Sequence, residues 1–198
     1  MLPHFLFMVV RNELTTRTSV SLHDLSRVES SWGYAEFTDA VIRLYRDVVF
    51  SSNTLSISYP VHALLAPSYS VQLNGGPGRL YSLDDKTYWG IEGISYTACS
   101  GSLIIERGGG ITVEALSIEG DFGQCHFQGN IGKNETINGT ITLKVHRRFI
   151  KSLALPLPES LELAQQMYTI TISIAGDIAQ PDIDVSSDIF RFRLKRHE

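Results

Sequence analysis

Apolar and polar side chains alternate with a period of two along most of this chain. Leu55, Ile57 and Tyr59 alternate with Thr54, Ser56 and Ser58, and Tyr69, Val71 and Leu73 alternate with Ser70 and Gln72. Ile137, Ile141, Leu143 and Val145 share one parity, with Asn138, Thr140, Thr142 and Lys144 on the other. Tyr168, Ile170, Ile172 and Ile174 repeat the pattern, and Phe190, Phe192 and Leu194 close the series. Successive side chains of a strand point to opposite faces, so this spacing predicts strands. The same reasoning predicts strands over Val20–Leu25, Ala40–Arg46, Leu80–Leu83, Ile91–Cys99, Ser102–Glu106, Ile111–Glu119 and Phe122–Gly129. Clean alternation predicts antiparallel pairing with one apolar face and one wet face, because strands covered on both sides read as continuous apolar runs.

Turn chemistry separates the runs. Gly75-Gly76-Pro77-Gly78, Asp84-Asp85, Gly108-Gly109-Gly110, Gly120-Asp121, Asn138-Gly139 and Gln180-Pro181-Asp182 are the predicted turns, with Gly75–Gly78 and Gly108–Gly110 read as hairpins. The parity slips between Ala115 and Leu116, which predicts a bulge. Helix is scarce: one or two turns at Arg11–Arg17, a short apolar piece at Val61–Ala66, and Pro158–Gln166, with Pro at its start and Glu159 in its first turn. No linker or charge block divides the chain, so residues 1–198 are read as a single β-rich domain. The expected fold is mainly β: a curved, twisted antiparallel sheet, groove-like or folded over, with one to three short helices.

That fold creates a mismatch. About a dozen strands carry an apolar side, and no helical layer is available to cover it. The sheet either folds over on itself as a sandwich or barrel, pairs its edge with a partner, or keeps a concave apolar face for a ligand. The positions that would line such a face are Leu55, Ile57, Val71, Leu73, Ile141, Leu143, Ile170, Ile172 and Phe192.

Composition narrows the function classes. The hydrophobic fraction is 43%, charged residues make up 19%, and the formal net charge is −4. An acidic balance without a basic face argues against nucleic acid as a partner. The basic tail residues Arg191, Arg193, Lys195 and Arg196 alternate with apolar ones, as on the polar side of a strand. The apolar start, Met1–Val10, is too short to span a bilayer and lacks the flanks of a signal peptide. Residues 1–17 are either the remnant of a membrane anchor plus a short helix, or an ordinary first element.

No catalytic or metal motif emerges. Six histidines show no metal-ligand spacing, and His23-Asp24 has no accompanying nucleophile. Ser100-Gly101-Ser102 lacks the strand–turn–helix setting of a nucleophile elbow. The glycine-rich pieces lack the helix and Lys of a phosphate cradle, and Asp182, Asp184 and Asp188 lack the Gly and distal Glu of a calcium loop. The sequons at Asn134 and Asn138 are short enough to arise by chance. Cys99 and Cys125 both fall in strands, as two buried thiols or as a cross-strand disulfide in an oxidising compartment. Trp32, Tyr34, Phe37, Tyr88, Trp89 and Tyr96 are either core and cross-strand pairs or a sugar- or lipid-facing cluster. The reading is a non-enzyme without cofactor.

Several stretches resemble the AsmA-like group, which includes the type II secretion protein N family. They are Arg11–Leu25, Leu55–Leu73 with its short apolar turn, the Gly-rich Leu73–Leu83, Gly110–Ile131, and Ile172–Val185 with its Gly-x-x-x-x-Pro ending at Gly176 and Pro181. The resemblance covers most of the chain in weakly specific pieces. It implies a Gram-negative periplasmic protein, anchored to the inner membrane in a full-length form. It also implies lipid or another apolar ligand and envelope or secretion-system proteins as partners, in type II secretion and protein transport or in lipid transport and outer-membrane homeostasis. The alternative is a closed β-sandwich or jelly-roll module, structural or carbohydrate-binding.

Overall fold

The computed structural model describes residues 21–24, 27–43, 48–62, 66–82, 93–107, 109–134, 136–150, 165–178, 180–187 and 191–194. Fourteen strand segments in these residues form one antiparallel sheet. In chain order they are β1 (Ser21–Asp24), β2 (Arg27–Ser31), β3 (Tyr34–Arg43), β4 (Val48–Ser58), β5 (Ser68–Gly75), β6 (Gly78–Ser82) and β7 (Gly93–Tyr96). There follow β8 (Ala98–Glu106), β9 (Ile111–Gly120), β10 (Gly123–Ile131), β11 (Thr136–His146), β12 (Met167–Asp177), β13 (Gln180–Ser187) and β14 (Arg191–Leu194). A single helical turn, α1 (Arg147–Ile150), follows β11.

Several segments are halves of longer strands. Both β5 and β6 pair with β4, and the register is the same on either side of the break: Leu55 faces Gly75, and Ser52 faces Gly78. On the far side, Gly75 faces Cys99 of β8 and Gly78 faces Tyr96 of β7, again without a change of register. Likewise β1 and β2 both pair with β3. The sheet is therefore an eleven-strand meander, open at both ends, in which each strand pairs only with its chain neighbours. It is not closed into a barrel, and a second sheet does not stack on it among the described residues.

A transverse crease runs through the first half of this sheet. Asp39, Asn53, Pro77 and Thr97 occupy the same level in neighbouring strands, and each is one residue more than strict alternation allows. In β3 the inward positions are Ala35 and Phe37 before Asp39, then Ala40 and Ile42 after it; in β4 they are Phe50 and Ser52, then Leu55 and Ile57. Every strand slips parity at the crease, and because neighbours slip together the ladder stays in step while the apolar side chains stay on one face. Asp39 takes a left-handed backbone (φ 52°), a conformation Asp tolerates better than most residues. The crease is stitched by Asn53 N–H donating to Pro77 O (2.9 Å), Gly76 N–H to Thr54 O (2.8 Å) and Thr97 N–H to Glu119 O (2.7 Å).

This arrangement corrects three predicted turns. Gly75–Gly78 is not a hairpin: the chain runs on in the same direction through the crease. A side chain at Gly78 would collide with Ser51 O and the Tyr96 ring, so the level requires glycine. Asn138-Gly139 lies inside β11, where Gly139 faces Gly129 and Ile174. A Cβ there would stand 2.6 Å from the Phe127 ring, so this glycine makes room for a cross-strand aromatic rather than for a turn. Pro181 lies inside β13, opposite Gly176. It is tolerated because β14 covers only Ile183–Ser186, leaving the proline outside that ladder.

Other expectations hold. Gly109 and Gly110 stand between β8 and β9, where Gly109 N–H donates to Glu106 O (2.9 Å), and Gly120-Asp121 joins β9 to β10 in a tight turn. A bulge interrupts β9 where Ser102 faces Ala115 but Leu103 faces Val113, one residue from the predicted slip. Ile91–Cys99 and Ser102–Glu106 are corrected into one long strand broken at Thr97 rather than before Ser102. Of the expected helices, Arg11–Arg17 and most of Pro158–Gln166 lie outside the described residues, as do Tyr88, Trp89 and Asp84-Asp85. Val61 and His62 form a turn. Helix α1 was not expected, and it packs Ile150, fully buried, into the core.

Candidate functional site

In an antiparallel ladder directly opposed residues share a face, so the pairing itself shows which side chains lie together. One row runs Phe37, Leu55, Gly75, Cys99, Ile118, Cys125, Leu143, Ile170. The next runs Ala35, Ile57, Leu73, Gly101, Leu116, Phe127, Ile141, Ile172, Val185. A third takes in Val71, Leu103, Val113, Gly129, Gly139, Ile174 and Ile183. The opposite face carries Glu36, Ser56, Asn74, Ser100, Ser117, His126, Thr142 and Thr171 in one of its rows. The sheet thus has one mainly apolar and one mainly polar side, with Val49 a buried apolar residue on the latter.

Eight of the nine predicted face positions fall together on the apolar side. They are not equivalent. Leu55 (1% exposed), Ile170 (2%), Ile172 (5%) and Val71 (6%) are core residues. Ile57, Leu73, Ile141 and Leu143 are only half-buried, packed against that core. Phe192 is paired in register with Val185, and its side chain lies outside the described residues. Within the core Phe50 stacks on Tyr96 (5.2 Å between centroids) and Phe122 tilts against Phe149 (5.8 Å). Tyr96 and Phe37 are core residues, whereas Trp32 is exposed, so these aromatics do not make one cluster.

Polar groups on the apolar side are few, and most are satisfied. Ser52 is buried and its hydroxyl donates to Thr54 O (2.6 Å). Tyr96 Oη donates to Ser51 O (2.6 Å), and burial pushes its phenol up to about 12. Tyr59 is the exception. Its N–H donates to Gly33 O (2.8 Å), extending the β4 ladder by one residue and keeping it in step with Leu55 and Ile57. Its hydroxyl is sealed from solvent yet meets no hydrogen-bonding partner, and burial raises its pKa. An unsatisfied buried hydroxyl costs about 1–3 kcal/mol. Alternation predicted the side on which Tyr59 lies; that its oxygen has no mate is visible only in three dimensions.

Cys99 and Cys125 are both free, which corrects the disulfide alternative. Each faces Ile118, from opposite sides of β9. Two strand spacings of about 4.8 Å separate them, beyond the Cα separation of about 4.4–6.8 Å that a disulfide spans. Burial raises both thiols to about 11, so neither is an activated nucleophile.

Open clefts lie at the two ends of β11. One is lined by Glu106, Asn130, Lys133 and Thr136 among others, the other by His146, Arg147, Arg148 and Gln166. Among the described residues, no group of three or more His, Cys, Asp or Glu is placed to hold a metal ion. Nor is any helix among them long and apolar enough to cross a membrane. His23-Asp24 falls on β1, and Ser100-Gly101-Ser102 inside β8. The fold and its surface define a class: a single open antiparallel meander with one apolar and one polar face. Comparison with protein-family models, with curated proteins and with solved structures finds no match for this chain.

Proposed function

We propose that this is a non-enzymatic binding protein that holds an apolar ligand, such as a lipid chain, along the apolar side of its sheet. The observation that carries the reading is the uneven burial on that side. Sealed core positions such as Leu55, Val71, Ile170 and Ile172 share that side with Ile57, Leu73, Leu116, Ile141 and Leu143, which stay only half-buried, and the described strands form one sheet rather than two. Covering such positions removes apolar area from water at about 25 cal/mol per Å², which is a driving force for an apolar guest and not for a charged one. The resemblance to the AsmA-like and secretion-protein-N group supports a cell-envelope setting, in secretion or in lipid transport, with the periplasm as the compartment.

Native mass spectrometry of protein purified from cells tests the ligand. The expected result is a population carrying the mass of one or more lipids, released by mild activation. A clean unliganded mass in every preparation, together with no binding of added long-chain lipid, refutes the reading.

A further inference from the structure

We infer that the cleft at the C-terminal end of β11 is an anion site, and that it takes a phosphate group, free or as the headgroup of a lipid, on the side chains of Arg147 and Arg148. The inference does not depend on the apolar-ligand reading, because the cleft is built on charged and polar side chains. It is an open cleft of about 600 Å³, and among the described residues its lining is His146, Arg147, Arg148 and Gln166. Small-ligand sites fall at about 300–1,000 Å³. All four side chains are exposed, and no carboxylate is among them.

The charges around the cleft are out of balance. The chain as a whole carries −4, yet two arginines stand side by side here, with Lys144 just before His146 on the same strand. Arg148 donates to Asp121 O (3.1 Å), a backbone carbonyl with no charge to offset the guanidinium. The Glu119 carboxylate, across β10 from Lys144, accepts from Gln124 Nε2 (3.3 Å). The cleft at the other end of β11 differs, because Glu106 and Lys133 both line it and their charges offset.

The chemistry of the guest follows from the donors. The backbone amide of Arg147 already donates to Gln166 O (2.9 Å), so the cleft offers side-chain donors. Guanidinium forks present parallel N–H pairs that match phosphate oxygens, and the Gln166 amide and the His146 ring add further donors. A carboxylate has two oxygens to accept them and a phosphate group has more, so the tetrahedral oxyanion uses this set more fully. Two arginines at one end of the sheet are too few for the basic stripe that a nucleic-acid backbone requires.

Titration of inorganic phosphate into the full chain at low ionic strength, read by amide proton–nitrogen shifts, tests the site. Saturating shifts are expected at Arg147, Arg148 and Gln166, with a dissociation constant in the millimolar range. Arg147→Gln is expected to weaken binding about three- to tenfold, the worth of one charge-assisted hydrogen bond at an exposed position. Arg147→Lys, which keeps the charge without the fork, is expected to recover only part of the loss. Lys133→Gln, in the balanced cleft, is expected to bind as the wild type does. Sedimentation with phosphatidylcholine vesicles, with and without phosphatidylglycerol, separates the two sources. Capture by the anionic vesicles alone, weakened in Arg147→Gln, assigns a lipid headgroup, whereas phosphate binding without capture assigns the free ion. Equal phosphate affinity in Arg147→Gln and the wild type overturns the site, as do shifts that spread over the surface without saturating. Sodium acetate binding as tightly as phosphate also overturns it, by marking a carboxylate site. None of these variants touches the apolar face, so the mass-spectrometric test of that face is decided separately.

Discussion

The uneven burial of the apolar side can be read out by truncating four aliphatic residues of similar size, two sealed and two partly open. Leu55 and Ile170 are buried to 1% and 2% exposure, whereas Leu73 and Ile141 share their face and are half-buried. Converting a leucine or isoleucine to alanine removes three carbons, worth about 2.4 kcal/mol at about 0.8 kcal/mol per buried methylene. Where neighbours enclose the site, the remaining void adds a further cost, bringing the loss to about 2–5 kcal/mol. Leu55→Ala and Ile170→Ala are expected in that range. At Leu73 and Ile141 water or neighbouring side chains can enter from the open side, so the void term vanishes and part of the transfer term was never gained. About 1 kcal/mol is expected for each. Equilibrium unfolding in urea measures the four values, with unchanged slopes as the check that the unfolded state is common to all. If Leu73→Ala and Ile141→Ala lose as much as Leu55→Ala, the face is interlocked throughout and holds no room for a guest.

Three further outcomes follow from particular contacts. Gly139→Val is expected to lose about 1–3 kcal/mol in the same assay, because the Phe127 ring occupies the space its side chain needs. Tyr96→Phe is expected to lose about 1 kcal/mol by removing the hydrogen bond to Ser51 O (2.6 Å) while keeping the stack on Phe50. Alkali should weaken the fold. Cys99 and Cys125 rise from 9.0 to about 11 on burial, so above pH 9 the unfolded chain sheds protons the folded chain retains; stability is full below that pH and falls as pH climbs toward 11, with Tyr96 extending the loss toward 12. A melting temperature that is flat from pH 8 to pH 11 contradicts that account.

Much of the sheet was legible in the alternation, since burial of one face is what the period-two pattern records. The pattern placed Leu55, Val71, Ile141 and Ile170 on one side correctly, because strict alternation holds within each half-strand. It failed at the crease. A parity slip and a Gly-Gly-Pro-Gly run look locally like the end of a strand, and only pairing with β4 on both sides shows that the strand continues. Asn138-Gly139 carries the strongest short hairpin signal there is, yet the bulk of Phe127 on the neighbouring strand, twelve positions away in sequence, accounts for its glycine. The same limit applies to the site. Face membership is a local property, but the isolation of the Tyr59 hydroxyl depends on what every other strand fails to offer it.

Because each strand pairs only with the strands before and after it in the chain, the sheet is a ribbon laid down one hairpin at a time. Its loops close over short spans, so it should assemble faster than β folds of similar size whose partners lie far apart in sequence. A gene that gained or lost one up-down pair would widen or narrow the sheet without disturbing the registers elsewhere, so the span of such a molecule can change over evolutionary time by simple duplication.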